Sequence, residues 1–440
     1  TSSAISSFEH AISLVPKFAA PYMNIAAIYI SEDKNDKALE QYNALLRVDP
    51  DNLEALIASA SLLERNSRDT EAFDRYAKAK YTNKPAGYMA LAAYYVRKND
   101  FRHGIDTLKE LLARDQKLIE ARDELAAIYV KKNSIKEAEA EYKKIISLTP
   151  DSPFGHNRLA TLYAKAGDYA KAIAELNESL KIKPEQPEII SALADIHIKK
   201  NDFKGAEDIA QQAIITKPKN GFGYHLMGDI LSKQKKYEKA LQYYEKAEKM
   251  SRNNFLSPIA AGNIYLLQGK TTKAIEAYKR AEKANHRYPS VYFYQGIVFE
   301  RMGEKNRAIE RYRKSLSLNP EYVPAINNLA YLYSERQERL DEASRLAQRA
   351  KNLVPKDGAI TDTMGWVYYK KGDYTKALTL LKEAASLLPD EPTIRYHLGL
   401  AYIKNGMKDE ARKEFEGALK MASNFPEAEE AKKILKGLNL

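Results

Sequence analysis

Ala359 to Asp390 reads AITDTMGWVYYKKGDYTKALTLLKEAASLLPD, and the rest of the chain repeats this stretch in varied form. Met364, Gly365 and Tyr368 share one face at the roughly 3.6-residue helical period, which predicts a short amphipathic helix. Lys370-Lys371-Gly372-Asp373 interrupts the pattern, and glycine suits the left-handed conformation that commonly ends a helix. A second helix is predicted from about Tyr374, with Ala377, Leu381 and Ala384 on its inner face. Pro389 ends it, because proline cannot continue helical hydrogen bonding. Gly365 and Ala377 are small, as close approach of two antiparallel helices requires. One such hairpin leaves an apolar face uncovered and needs like hairpins stacked on it.

The alanine that opens the second helix recurs as Ala4, Ala38, Ala72, Ala138, Ala172, Ala206, Ala240, Ala274, Ala308, Ala343, Ala377 and Ala411, with Gly104 in the same register. From Ala138 to Ala308 every step is 34 residues. Ala72 to Gly104 is 32, a connection two residues shorter near Asn83-Lys84-Pro85, and Ala308 to Ala343 is 35, one residue inserted in SERQERLDEA. Prolines close many units at one phase, among them Pro16, Pro50, Pro150, Pro320, Pro355 and Pro389, and Gln116, Arg252 and His286 take that place in three others. A small column (Ala26 through Gly228, Gly262 and Gly296 to Gly399) is followed three residues later by a mostly aromatic one (Tyr29, Tyr95, Tyr163, Phe299, Tyr368). With Tyr42, Tyr76, Tyr142, Tyr244, Tyr278 and Tyr312 of the second helices, that column accounts for much of the tyrosine and reads as core packing.

The unit resembles the tetratricopeptide repeat (TPR), a helix-turn-helix of about 34 residues. The resemblance implies an all-α fold, a right-handed superhelical α-solenoid of stacked helix-turn-helix repeats. The expected organisation is the second helix of a truncated repeat at 1–16, twelve repeats forming one continuous solenoid at 17–425, and a capping helix at 426–440 that covers the last apolar edge.

Without cysteine the chain has neither disulfides nor thiolate chemistry, which fits a cytoplasm or a periplasm. No run of about 20 apolar residues is present to span a bilayer. The net charge is +11. Part of it recurs two residues after the aromatic column, as Arg97, Lys131, Lys165, Lys199 and Lys233 among others, and predicts a basic rim near the helix–helix turns. Cations there also suit helix C-termini. Their functional reading is a footprint for an acidic partner, nucleic acid or a charged polymer. Interleaved Asp and Glu argue against a dedicated nucleic-acid binder.

No catalytic constellation is found, and no cofactor or metal site is expected. QGKT at Gln268–Thr271 lacks the glycine of a phosphate loop, since Ile264 stands there, and no strand precedes it. The seven histidines show no paired ligand spacing.

In proteins of the family it resembles, first helices line a concave groove that holds an extended peptide or a helix of a protein partner. The matching positions here include Ile57/Ser61/Glu64, Met89/Ala93/Val96 and Asp362/Trp366/Tyr369. Two features are singled out: a polar track of Asp195, Asp229 and Asn263, and an aromatic patch of Phe293, Tyr331, Trp366, Tyr369 and Tyr396, expected as exposed anchors of recognition. The lysine/asparagine run with which some family members grip a C-terminal carboxylate is missing.

These observations lead to a non-enzymatic scaffold for protein–protein interaction that organises a multiprotein bacterial complex. NNLAYLYSERQERLDEASRLAQRA and the repeats after it are similar to bacterial envelope lipoproteins and exopolysaccharide-export proteins. That similarity implies secretion or assembly components as partners and favours a periplasmic or envelope location. A third reading is the regulatory part of an enzyme whose catalytic domain lies outside this sequence.

Overall fold

The computed structural model describes residues 2–337 and 339–438, and every regular element among them is an α-helix, numbered α1 to α26 along the chain. Thr1, Glu338 of the insertion and the last two residues of segment 426–440 lie outside the described residues. α1 (Ser2–Leu14) comes first, α2 to α25 alternate as first and second helices of hairpins, and α26 (Ala428–Leu438) comes last. The helices group into two compact units, Thr1–Asp202 and Phe203–Leu440. The division falls between α12 (Pro187–Lys199) and α13 (Phe203–Thr216).

The two small columns are the packing seams of each unit. From Ala38 to Ala411 the alanine column is fully buried, while Ala4 on α1 is exposed. The glycines of the first-helix column make room for a ring from the second helix. A Cβ at residue 228, 262 or 296 would lie 2.5, 2.5 or 2.4 Å from the rings of Tyr244, Tyr278 and Tyr312 respectively. In the opening stretch Gly365 faces Leu381, at 2.7 Å from a Cβ there. The second-helix tyrosines are buried as expected. The outer faces of Tyr29, Tyr163, Tyr265, Phe299 and Tyr368 are covered by the cation eight residues later (Lys37, Lys171, Lys273, Arg307 and Lys376).

Each hairpin turn passes through a residue with positive φ at the same place. Glycine takes it at Gly167, Gly269, Gly303, Gly372 and Gly406, and elsewhere Asp33, Ser67, Asn99, Asn133, Asn201, Lys235 and Gln337 do so. The turn is therefore imposed by stacking, and glycine only makes it easier. Proline is dispensable in the same way. Asp115, Ser251 and Asn285 precede Gln116, Arg252 and His286, and all three are as extended as the residues that precede the closing prolines. The closing residue is also held from the next first helix. Tyr22 donates to the Pro16 carbonyl at 3.1 Å, Arg122 to that of Gln116 at 2.6 and 2.9 Å, Tyr292 to that of His286 at 2.8 Å and Arg395 to that of Pro389 at 3.2 Å.

Both register changes are absorbed by extra left-handed residues. At the inserted residue, Arg339 (φ 53°) begins α21 (Leu340–Leu353). At the short connection, Asn83 (φ 59°) turns the chain directly from α5 (Asp69–Tyr81) into α6 (Pro85–Arg97). The start of α6 is drawn so close to α5 that a Cβ at Gly87 would lie 2.1 Å from the Ala79 carbonyl oxygen.

Candidate binding faces of the first helices

In the C-terminal unit Trp366 and Tyr396 of the aromatic patch are buried and Phe293, Tyr331 and Tyr369 are half-buried, which corrects the expectation of exposed anchors. Trp366 on α22 (Gly358–Lys371) is 6% exposed, and Tyr396 on α24 (Pro392–Lys404) is 3% exposed. Trp366 stacks on Tyr369 (centroids 5.0 Å apart, planes at 3°) and on His397 (4.0 Å, 17°). Its Nε1 donates to Glu335 at 2.8 Å, and Lys370, paired with the same carboxylate at 3.3 Å, lies over its ring. His397 is itself buried, with Nδ1 2.9 Å from Asp362. Tyr396 packs on Phe415 and Phe425. Phe293, half-buried, lies against Tyr294, Tyr312 and Tyr322. Burial, followed by the carboxylates of Glu335, Glu427, Asp362 and Glu300, pushes the Tyr331 phenol above its ordinary range. Burial does the same to Tyr369 and Tyr396, the latter bonded to Glu430. Here rings that periodicity places on the groove face pack on one another and on neighbouring side chains.

The polar track is more open. Asn263 is exposed, and Asp229 keeps 46% of its side-chain surface. Both serve the core, accepting the hydroxyls of Tyr278 and Tyr244 at 2.7 Å. His225 Nε2 lies 3.4 Å from the second Asp229 oxygen. Asp195 belongs to the N-terminal unit and is exposed on α12.

The rim cations divide by partner. Arg97 grips Glu64 of the preceding first helix through two bonds of 2.8 and 2.9 Å, and this holds the Glu64 carboxyl below its ordinary value. Arg301 donates to the Leu266 carbonyl at 2.8 Å, the C-terminal capping that the sequence allows. Lys131, Lys165, Lys199 and Lys233 are exposed and have no ion pair among the described residues.

In the N-terminal unit a first-helix surface is open between α4 (Leu53–Arg65) and α6. A cleft of about 460 Å³ is lined by Ile57, Ser61, Glu64, Arg65, Tyr76, Ala93 and Arg97. Further along the same two helices is an apolar recess of about 470 Å³, formed by Leu53, Pro85, Ala86, Met89, Leu118 and Ala121. Lys84 and Glu120 stand at its edge, and Leu118 and Ala121 come from the start of α8 (Ile119–Lys131) and the residue before it. The groove positions Ile57, Ser61, Glu64, Met89 and Ala93 were legible from periodicity. The recess was not, although the 32-residue step beside Asn83-Lys84-Pro85 was its signal.

Segments 25–87, 119–152, 141–174, 163–227, 223–254, 262–303, 290–322, 365–406 and 392–425 match models described as TPR repeat or tetratricopeptide repeat. The chain is a tetratricopeptide repeat protein. TPR repeat-containing protein PA4667 of Pseudomonas aeruginosa is 38% identical over 80 residues, 18% of this chain and 13% of the relative. General transcriptional corepressor trfA of Dictyostelium discoideum is 29% identical over 114 residues, 26% of this chain and 8% of the relative. The matched part is thus a small fraction of either relative's length. Among solved structures, a chain of the APC/C hetero-tetramer Cut9-Hcn1 is similar in fold, with a TM-score of 0.51 and 15% identity over 99% of this chain and 92% of that one.

Among the described residues, the acidic and histidine side chains of this TPR protein make no group of three or more placed to hold a metal ion. No described helix is long and apolar enough to cross a membrane. QGKT forms an ordinary hairpin turn around Gly269.

Proposed function

We propose that the chain is a non-enzymatic scaffold that holds segments of protein partners along the faces of its first helices. The observation that carries this reading is the contrast between two surfaces of one repeat. The columns joining first to second helices are sealed, whereas α4 and α6 leave a cleft and a recess open between them. A repeat array offers such faces in series, which suits extended partners. A photo-reactive residue at Ala93 should cross-link to a bound partner at high salt, and one at the exposed Lys143 of the second-helix surface should not. Equal cross-linking from both positions would refute the reading.

The wording of the last third supports a finer reading, a place in a bacterial envelope or exopolysaccharide-export assembly. The gene's complete reading frame tests it. A lipobox or an outer-membrane barrel joined to this chain supports it, and a catalytic domain supports a regulatory part of an enzyme instead.

A further inference from the structure

We infer that the face between α4 and α6 takes an extended partner segment carrying an apolar side chain and, about five residues away, a carboxylate; this rests on the scaffold reading above and names the partner's chemistry. The two ends of the face differ. The recess at the helix N-termini is walled by Leu53, Pro85, Ala86, Met89, Leu118 and Ala121, and almost none of its surface is polar. One branched aliphatic or aromatic side chain would leave water on entering it, which favours binding.

The other end is charged, and the charges do not cancel. Glu64 is spent on Arg97, which holds it through two hydrogen bonds, and on Tyr76, whose hydroxyl lies 3.3 Å away. Arg65 stands exposed beside this pair and has neither hydrogen bond nor ion pair among the described residues. One uncompensated guanidinium therefore faces the cleft, and a carboxylate is its natural bidentate partner.

Spacing sets the register between the two ends. Twelve residues separate Leu53 from Arg65 on α4, which at ~1.5 Å of rise per residue is about 18 Å. An extended chain covers that distance in about five residues at ~3.3 Å each. The recess lies beside the short connection at Asn83, where the start of α6 packs on α5 with Gly87 against the Ala79 carbonyl.

The test is selection of random dodecapeptides displayed on phage against the whole chain and against two variants. Ala86→Trp fills the recess from an exposed position, and Arg65→Glu reverses the free charge, also from an exposed position. Both should fold as the parent does, which circular dichroism checks. Peptides enriched by the parent should pair an apolar residue with an acidic one about five positions apart. Selected peptides, resynthesised with amidated C-termini, should lose about tenfold or more in affinity to each variant, a change of ~1.4 kcal/mol. Affinity unchanged when the internal Asp or Glu of a selected peptide is replaced by Asn or Gln would overturn the inference. Enriched peptides that lack the pairing, or bind both variants as well as the parent, would overturn the inference and leave the scaffold reading standing. No enrichment at all would count against both.

Discussion

The ring of Tyr278 occupies the space that a Cβ on Gly262 would need, 2.5 Å from its Cε1, and carries its hydroxyl past the glycine to Asn263 on the opposite face at 2.7 Å. The same arrangement joins Gly228, Tyr244 and Asp229. A glycine in the packing seam is thus tied to a polar residue on the groove face through one buried phenol. Where residue 297 is isoleucine, Tyr312 donates instead to Glu300, one turn further along.

Gly296→Leu should destabilise the protein by roughly 1–3 kcal/mol by overpacking. In an array of neighbouring contacts it should split or broaden the unfolding transition. Thermal unfolding followed by circular dichroism measures this, and an unchanged curve would remove the assigned register. Tyr312→Leu placed with it should recover part of the loss.

Trp366→Ala should cost about 3–5 kcal/mol, because it removes a buried, stacked ring together with the Nε1 hydrogen bond to Glu335. Hydrogen exchange across α22 and α24 should rise. Exchange left at the parent level would show Trp366 to be a surface anchor after all.

Burial raises the Glu300 carboxyl above its ordinary value of 4.5, against the opposing bond from Tyr312. The native state then binds a proton more tightly than the unfolded chain does. Glu300's contribution to stability is complete below about pH 4.5 and is lost as pH rises through the raised value. Glu300→Gln should flatten that part of the denaturation profile and stabilise the protein at neutral pH. A profile of unaltered slope would contradict this.

Gly87→Ala should be costly despite alanine's better helix propensity, since its Cβ would lie 2.1 Å from a backbone carbonyl oxygen that cannot swing away. A loss of about 1–3 kcal/mol is expected in urea denaturation. A gain would mean that α6 does not sit against α5 as described.

Gln116→Pro should stabilise the chain by about 0.4–1 kcal/mol by restricting the unfolded state. Asp115 already has the extended conformation that a residue before proline must adopt, and Arg122 needs only the carbonyl of residue 116, which proline keeps. A lower melting temperature would refute this.

Much of the fold was legible because it depends on periodicity. The alanine column, the glycine and aromatic columns and the helix ends all follow from spacing along one chain. The site was legible only as a set of positions. Periodicity says that Trp366 and Ile57 point from first helices in the same sense, but exposure depends on how closely the next first helix approaches. α20 (Val323–Glu335) and α22 press together, so Trp366, bonded to Glu335, is sealed. α4 and α6 leave a cleft, so Ile57 lines an open surface.

The sequence by itself determined the repeat, its register and both departures from it, because local hydrogen bonding and an apolar stripe act through residues three, four and thirty-four apart. Only the tertiary structure decided which groove residues bind one another and which stay open. Exposure there depends on how closely successive first helices pack, and that follows from many local contacts, such as Gly87 against Ala79, that no single residue announces.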